Sequence, residues 1–317
     1  MKSVLLLTCT EDAHADVLEK MIIQRGHNAW RINFDDLKST QRLSFALNDA
    51  AKISVASSRD VDIKEITGVF VHNPVTKFTR ENFPDSTDYD LGFANANWMN
   101  YIFWLEETIP NAVWMNHSLG IRRFETIGTQ LRLAHSLGFK IPETLFTNDV
   151  KELTDFYKSN KKTILKAGYT PGLFRRNLLS LTTFVDINEL NGDSLKNSPC
   201  LFQEYIEKEY ELRIYVVGDR VLACRIDSQA HQSTSLDWRS YGADIPYKIV
   251  DLDATTEKQC KDFVKLAGLT FGAFDIVVTP EGENVFLECN TQAAWLWIED
   301  KTGLPITSSV ADVLLGE

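Results

Sequence analysis

The chain has 317 residues, 44% hydrophobic and 24% charged, the balance of a soluble globular protein with room for two or three packed units. Its formal net charge of −11 offers no basic excess to displace counterions from a phosphate backbone, which excludes nucleic acid as a bulk electrostatic partner and favours a basic one. Five scattered cysteines without a CxxC pair, and the lack of a signal-peptide or membrane-length apolar run, point to a reduced, cytoplasmic protein that does not enter a membrane.

The opening reads as a βαβ unit. Val4–Thr8 is a short apolar strand, Ala13–Arg25 has helical spacing, Gly26 stops that helix, and Asn28–Asn33 is a second strand. The first turn, Thr8-Cys-Thr-Glu-Asp12, lacks the glycines of a dinucleotide site, so no cofactor is assigned to it. Gly68–His72 is a further strand, followed by a polar stretch through Asp90. The aromatic run Trp98–Trp104 suits a helix with its apolar face in the core, and Val113–Met115 closes this unit.

Residues 122–139 read as one amphipathic helix, Thr147-Asn-Asp149 offers a cap for a helix over 150–159, and Thr163–Ala167 is a strand carrying Lys166 among apolar neighbours. A lysine in a strand is ordinarily solvated. Here it precedes the loop Gly168-Tyr-Thr-Pro-Gly172 and a strand around Leu178–Val185, an arrangement that would let Lys166 act as a point charge on a phosphate beneath a small lid. The acidic, turn-rich stretch Asp186–Asp193 comes next.

Tyr210–Val217 and Arg220–Asp227 flank Gly218-Asp219 as a hairpin. Glu211 and Arg213 share one face of its first strand, and Ala223, Arg225 and Asp227 share one face of its second. A half-buried sheet with one charged face is the plain expectation. Segment 228–241 is polar and loop-like, 255–268 is a helix stopped by Gly268, and a final helix covers Ile306–Leu315.

Between those helices, Phe271–Val278 and Val285–Asn290 flank Pro-Glu-Gly-Glu, a hairpin signal. With Thr279 and Asn284 closing the turn, Asp275 faces Glu288 across the strands, and Glu288 and Asn290 share a face while Cys289 points away. Three oxygen ligands on one patch suit Mg²⁺, which draws the rest of its shell from water and phosphate. For a hairpin taken alone, three solvated polar residues is the plainer alternative.

The order Lys166, Gln203-Glu-Tyr-Ile206, Glu211-Leu-Arg213, Asp275, Glu288-Cys-Asn290 resembles the ATP-grasp superfamily over residues 115–317. Trp114-Met-Asn-His117, Ile226-Asp-Ser-Gln229, Asp237-Trp-Arg239 and Trp295-Leu-Trp297 resemble one branch in particular, the graspetide (microviridin-type) peptide macrocyclases. The fold class implied is α/β, turning to α+β in the C-terminal part. An N-terminal α/β domain (1–118) would be followed by a central lid domain (119–203) and a C-terminal antiparallel-sheet domain (204–317). The cofactors implied are ATP and Mg²⁺. Backbone at Glu204, Tyr205 and Ile206 would meet adenine, Glu211 the ribose, and Lys166 the α/β-phosphates. Arg213 and Arg239 would meet the γ-phosphate and the developing oxyanion, with Arg225 as a third cationic candidate, while Asp275, Glu288 and Asn290 would hold the metal.

The resemblance further implies a ribosomal precursor peptide, leader plus core, as partner, and a homodimer as assembly. Asp or Glu side chains would become acylphosphates and then ω-esters with Ser/Thr or ω-amides with Lys. Asp186–Asp193 and the loop Tyr169–Asn177 are candidates for leader docking, with a solvated charge run as the alternative. The sequence departs from the superfamily pattern at Ile127, where a phosphate-binding lysine is usual, and at Thr291, where proline commonly follows the metal-binding asparagine. Two other functions stay open: a ligase joining an amino acid to a peptide, and a nucleotide-binding regulatory module without turnover.

Overall fold

The computed structural model describes residues 1–36, 52–55, 59–74, 78–160, 162–166, 182–189, 192–236, 238 and 245–317. The first part of the chain contains β1 (Ser3–Thr8), α1 (Ala13–Gln24), β2 (Asn28–Asn33), β3 (Lys52–Val55), β4 (Arg59–Asp62), β5 (Ile66–Val71), α2 (Asp88–Thr108) and β6 (Val113–Met115). Strands β2-β1-β5-β6 form a parallel sheet in that order. β1 is buried along its whole length, and its central Val4–Leu7 are all apolar, as suits a strand covered on both faces. The helix expected at the aromatic run is longer than its aromatic core: a capping box between Thr87 and Asp90 starts α2 inside the polar stretch. Ile102 and Leu105 are its deeply buried residues, and Trp98 and Tyr101 pack on that core half-buried.

The middle part runs through α3 (Ser118–Phe124), α4 (Ile127–Ser136), β7 (Thr144–Thr147), α5 (Val150–Ser159), β8 (Thr163–Lys166), β9 (Thr183–Phe184), α6 (Gly192–Lys196) and β10 (Cys200–Glu204). Sheet β7-β10-β8-β9 carries a small core of Leu153, Leu195 and Phe202. The single helix expected over 122–139 is two helices, broken at Glu125 and Thr126. Phe124 at the end of α3 and Ile127 at the start of α4 both pack in the large core below the C-terminal sheet. Asp149 caps α5 as its sequence suggests, accepting from the Lys151 N–H at 2.7 Å.

The last part holds β11 (Tyr210–Val217), β12 (Arg220–Ile226), β13 (Tyr247–Ile249), α7 (Ala254–Leu266), β14 (Phe271–Val278), β15 (Asn284–Asn290), α8 (Leu296–Thr302) and α9 (Ile306–Leu315). Its sheet is antiparallel in the order β13-β12-β11-β14-β15. One face packs Leu212, Ile214, Phe274 and Phe286 against α4 and α7, and the other packs Tyr215, Val217, Phe271 and Ala273 against α9 and Trp295. The half-buried sheet expected around β11 is therefore buried on both sides, and Glu211 and Arg213 are each only 5% exposed. Among the described residues no helix is long and apolar enough to cross a membrane.

Candidate functional site

The β14–β15 hairpin reaches the expected pairing by a different route. Val278 pairs with Asn284 at the turn, where Gly282 adopts φ +81°. Extended without interruption, that register would set Asp275 opposite Leu287. The register instead shifts by one residue between Ile276 and Asp275, leaving Leu287 as the extra residue of a β-bulge, and Asp275 faces Glu288 after all. The bulge also resolves a conflict of parity. Phe286 enters the core with Phe274, and a regular strand would send Glu288 there too; one added residue turns Glu288 and Asn290 to the opposite face while Cys289 goes inward.

On that face Asn290 Nδ2 donates to Asp275 Oδ2 at 3.2 Å and to Glu288 Oε1 at 3.5 Å, and Arg213 Nη1 donates to Asp275 Oδ1 at 2.7 Å. Arg213 Nε donates to the Tyr215 hydroxyl at 3.3 Å, so the guanidinium is fixed at two edges. Burial opposes the charge of Arg213, and Asp275 with Tyr215 more than offsets it, leaving Arg213 above its ordinary pKa and permanently cationic. The donor set, two carboxylates and a carboxamide brought together on one patch, fits a hard divalent cation.

Two buried amides hold the backbone around these ligands. β15 is an edge strand, so its outward N–H groups have no strand partner. The Cys289 N–H, between Glu288 and Asn290, donates to Gln130 Oε1 of α4 at 2.7 Å, and the Gln130 amide donates in turn to the Phe124 carbonyl. Asn116 accepts from the Thr270 and Phe271 N–H groups at 2.7 and 2.9 Å and donates to the Phe271 and Thr291 carbonyls, both at 2.8 Å. Both ends of the hairpin are thereby tied to the chain that leaves the parallel sheet. Sequence reading gave neither residue a role, because their partners lie more than 150 positions away.

Glu211 is also held more tightly than its sequence context suggests. Lys208, whose side chain is 5% exposed, donates to Glu211 Oε1 at 2.7 Å and to the Leu236 carbonyl at 3.1 Å. Trp238 stacks on Trp297 with ring centroids 4.6 Å apart, so both neighbours of Asp237 are anchored. Asp237 and Arg239 lie outside the described residues, as do the loops Gly168–Gly172 and Tyr169–Asn177 and positions 178–181 of the strand expected around Leu178–Val185.

At Glu204–Ile206 the main chain is less open than a bare linker. The Glu204 N–H donates to the Glu143 carbonyl at 3.0 Å and the Tyr205 N–H to the Lys162 carbonyl at 2.8 Å. The Glu143 N–H donates to the Glu204 side chain at 2.9 Å rather than to its carbonyl. Among the described residues this leaves the Glu204 carbonyl and the Ile206 N–H without main-chain partners, an acceptor and a donor two residues apart. Lys166 ends β8 half-buried, opposite Leu201.

Arg225 is not brought to the cluster. It faces Leu212 across β11–β12, on the side opposite Arg213, with its guanidinium 3.7 Å from the Tyr210 ring centroid and ion-paired to Asp227. Ile127, at the position where the superfamily pattern has lysine, is 8% exposed and packed in the core with Phe124 and Leu131.

No family model and no curated protein matches the sequence. Solved structures do. A RiPP-associated ATP-grasp ligase of Chryseobacterium gregarium, in complex with ADP and a leader and core peptide, is 27% identical over 99% of this chain and 96% of that one, with a TM-score of 0.85. The macrocyclase MdnC of Microcystis aeruginosa MRC, bound with precursor peptide MdnA, is 24% identical over 99% and 100% of the two chains, at a TM-score of 0.83. The ATP-grasp ligase PsnB, complexed with a minimal precursor, is 19% identical over 100% and 99%, at a TM-score of 0.79. The likeness covers nearly the whole chain, through the parallel sheet, the two larger antiparallel sheets and the hairpin carrying Asp275 and Glu288, so this chain has the fold of the ATP-grasp ligases of ribosomal-peptide maturation.

Proposed function

We propose that this chain is an ATP- and Mg²⁺-dependent macrocyclase acting on a ribosomal precursor peptide, leader plus core. The single observation that supports it best is the patch of Arg213, Asp275, Glu288 and Asn290, which sets a fixed cation beside two carboxylates and a carboxamide on one face of a rigid sheet. Bound Mg²⁺ supplies neutralisation of the charge on the β- and γ-phosphates.

The reaction has two steps. An Asp or Glu carboxylate oxygen of the peptide attacks the γ-phosphorus of ATP, the bond to the β-phosphate oxygen breaks, and ADP leaves. A Ser/Thr hydroxyl or Lys amine of the same peptide then attacks the acyl carbon, phosphate leaves, and the nucleophile loses its proton. Arg213 faces the charge that moves from carboxylate to phosphoryl oxygen, and its two anchored edges let it do so without reorganising. Arg239 serves as the second guanidinium. Glu211, oriented by Lys208, accepts from the ribose hydroxyls, and the Glu204 carbonyl and Ile206 N–H pair with the adenine edge. Lys166 meets the α/β-phosphates from β8. With Arg225 on the far face, its part in this reading is support of β11–β12 through Tyr210 and Asp227.

The division into 1–118, 119–203 and 204–317 belongs to the same proposal, with α3 and α4 buttressing the C-terminal sheet on which they pack. So do a homodimeric assembly, a cytoplasmic location and the exclusion of nucleic acid. The test combines the protein, ATP, Mg²⁺ and the precursor peptide, followed by mass spectrometry. Loss of one water per bond supports macrocyclisation, and fragmentation after mild base separates esters from amides. A gain in mass means intermolecular ligation, and nucleotide binding without product means a regulatory module; either result overturns the proposal.

A further inference from the structure

A second concentration of titratable groups lies apart from the hairpin, where Asp12, His14 and His72 bring their ligand atoms within 4.8 Å of one another. Asp12 follows β1 and His72 follows β5, at the carboxyl ends of the two strands where the order β2-β1-β5-β6 reverses direction. The ligand atoms of the cluster are already engaged in hydrogen bonds. Asp12 Oδ2 accepts from the Thr8 hydroxyl at 2.5 Å and lies 2.7 Å from His72 Nδ1, while Oδ1 accepts from the main-chain N–H groups of His14 and Ala15 at 3.0 and 3.4 Å. Burial alone would raise the Asp12 carboxyl, but His14, His72 and Thr8 hold it well below its ordinary pKa. His14 Nε2 is occupied as well: it accepts the Trp295 N–H at 3.0 Å and stands 3.4 Å from the Leu296 nitrogen.

That contact leads back to the hairpin. The Trp295 N–H belongs to the same peptide unit as the Ala294 carbonyl, and this carbonyl accepts the Tyr215 hydroxyl at 3.1 Å. Tyr215 in turn accepts Arg213 Nε at 3.3 Å, and Arg213 Nη1 donates to Asp275 at 2.7 Å. One peptide unit thus joins a histidine at the start of the chain to the guanidinium beside the metal ligands. Every link has a consistent donor and acceptor only if His14 is the neutral tautomer with its proton on Nδ1, which faces Asp12 Oδ1 at 3.5 Å. The Trp295 ring packs edge-on against His14, 4.5 Å between centroids, which leaves the peptide unit little freedom to turn elsewhere.

We propose that His14 is a positioning residue for Arg213, holding the 294–295 peptide so that its carbonyl fixes the Tyr215 hydroxyl and thereby one edge of the guanidinium. This rests on the reading of Arg213 as the group that meets the transferring phosphoryl. A planar cation held at one edge instead of two swings away from the charge it stabilises, so the loss falls on turnover rather than on ATP binding.

The test has two arms on the full chain. In protein labelled with ¹⁵N-arginine and ¹⁵N-histidine, His14 Nε2 reads as unprotonated and the Arg213 Nε–H exchanges slowly with solvent. His14→Ala makes that N–H exchange faster. His14→Gln, whose amide oxygen keeps an acceptor for Trp295, restores the protection. With peptide and ATP, His14→Ala lowers kcat about tenfold and leaves the KM for ATP within about twofold, a misplacement effect. His14→Gln recovers most of that loss. Tyr215→Phe has the same effect as His14→Ala, and the double variant is no worse than either single one. Unchanged Arg213 exchange in His14→Ala, equal losses in His14→Ala and His14→Gln, or additive losses with Tyr215→Phe would each overturn the proposal. If His14→Ala does not fold, Tyr215→Phe with and without His14→Gln makes the same comparison. If the unsubstituted chain turns over no peptide, the exchange arm still decides the role of His14, and the failure falls on the proposed function alone.

Discussion

Arg213 Nη1 donates to Asp275 Oδ1 across 2.7 Å, and the two side chains are 6% and 14% exposed. The carboxylate assigned to the metal is thus also the counter-charge of a buried guanidinium. Asp275→Ala strands that cation and should cost about 3–5 kcal/mol of stability in urea denaturation. Asp275→Asn keeps an acceptor for Arg213 but not its counter-charge and should cost less than Asp275→Ala, while Mn²⁺ affinity measured by electron paramagnetic resonance falls more than about tenfold. Undiminished Mn²⁺ binding in Asp275→Asn would remove Asp275 from the metal site.

Gln130 is the acceptor for the one N–H that separates Glu288 from Asn290. Gln130→Leu leaves that donor and the Phe124 carbonyl buried without partners, at a cost of about 1–3 kcal/mol. Gln130→Glu retains the acceptor. The expected order of Mn²⁺ affinity is unsubstituted chain, then Gln130→Glu, then Gln130→Leu. Equal affinities would mean that the strand needs no outside support at Cys289.

Lys208 and Glu211 form an ion pair with side chains 5% and 7% exposed. Lys208→Met leaves the carboxylate buried without a counter-charge and should destabilise the chain by about 3–5 kcal/mol. Adding Glu211→Gln should return most of that stability, since a neutral amide tolerates the site. It should also erase the preference for ATP over 2′-deoxy-ATP in a binding titration. A double variant as unstable as Lys208→Met would show that the lysine matters through Leu236 instead.

Burial pushes the Cys224 thiol up to about 11 and holds Cys260 and Cys289 above their ordinary value as well. Because the thiolate is the reacting form, none of the three should be alkylated in the native protein at mild pH. Cys200 and Cys9 are half-buried, and Cys9 is itself raised by burial. Iodoacetamide followed by peptide mapping should find Cys200 labelled first, Cys9 more slowly, and the other three only in denaturant. Early labelling of Cys289 would contradict the inward face of β15.

The sequence by itself determined the elements and their local pairing. The period of two in 271–278 and 284–290, the turn residues between them, and the glycines at 26, 218 and 268 are signals between near neighbours; they predict Asp275 across from Glu288, a pairing that the observed register reaches only through the bulge. The order of short motifs from Lys166 to Asn290 carried the resemblance, because each motif is itself a local stretch. What only the tertiary structure decided is how those residues are held. The bulge at Leu287 arises because Phe286 is drawn into the core with Phe274 while Glu288 has to face the other way. Arg213 and Glu211 look like an exposed charged stripe, and become buried because α4 and α7 cover one face of the sheet and α9 with Trp295 the other. Arg225 shares their composition but lies on the far face, which charge alone does not reveal. His14, Asn116 and Gln130 meet their partners across more than 150 residues of chain, a distance at which no local pattern carries information and only the packed core selects the pair.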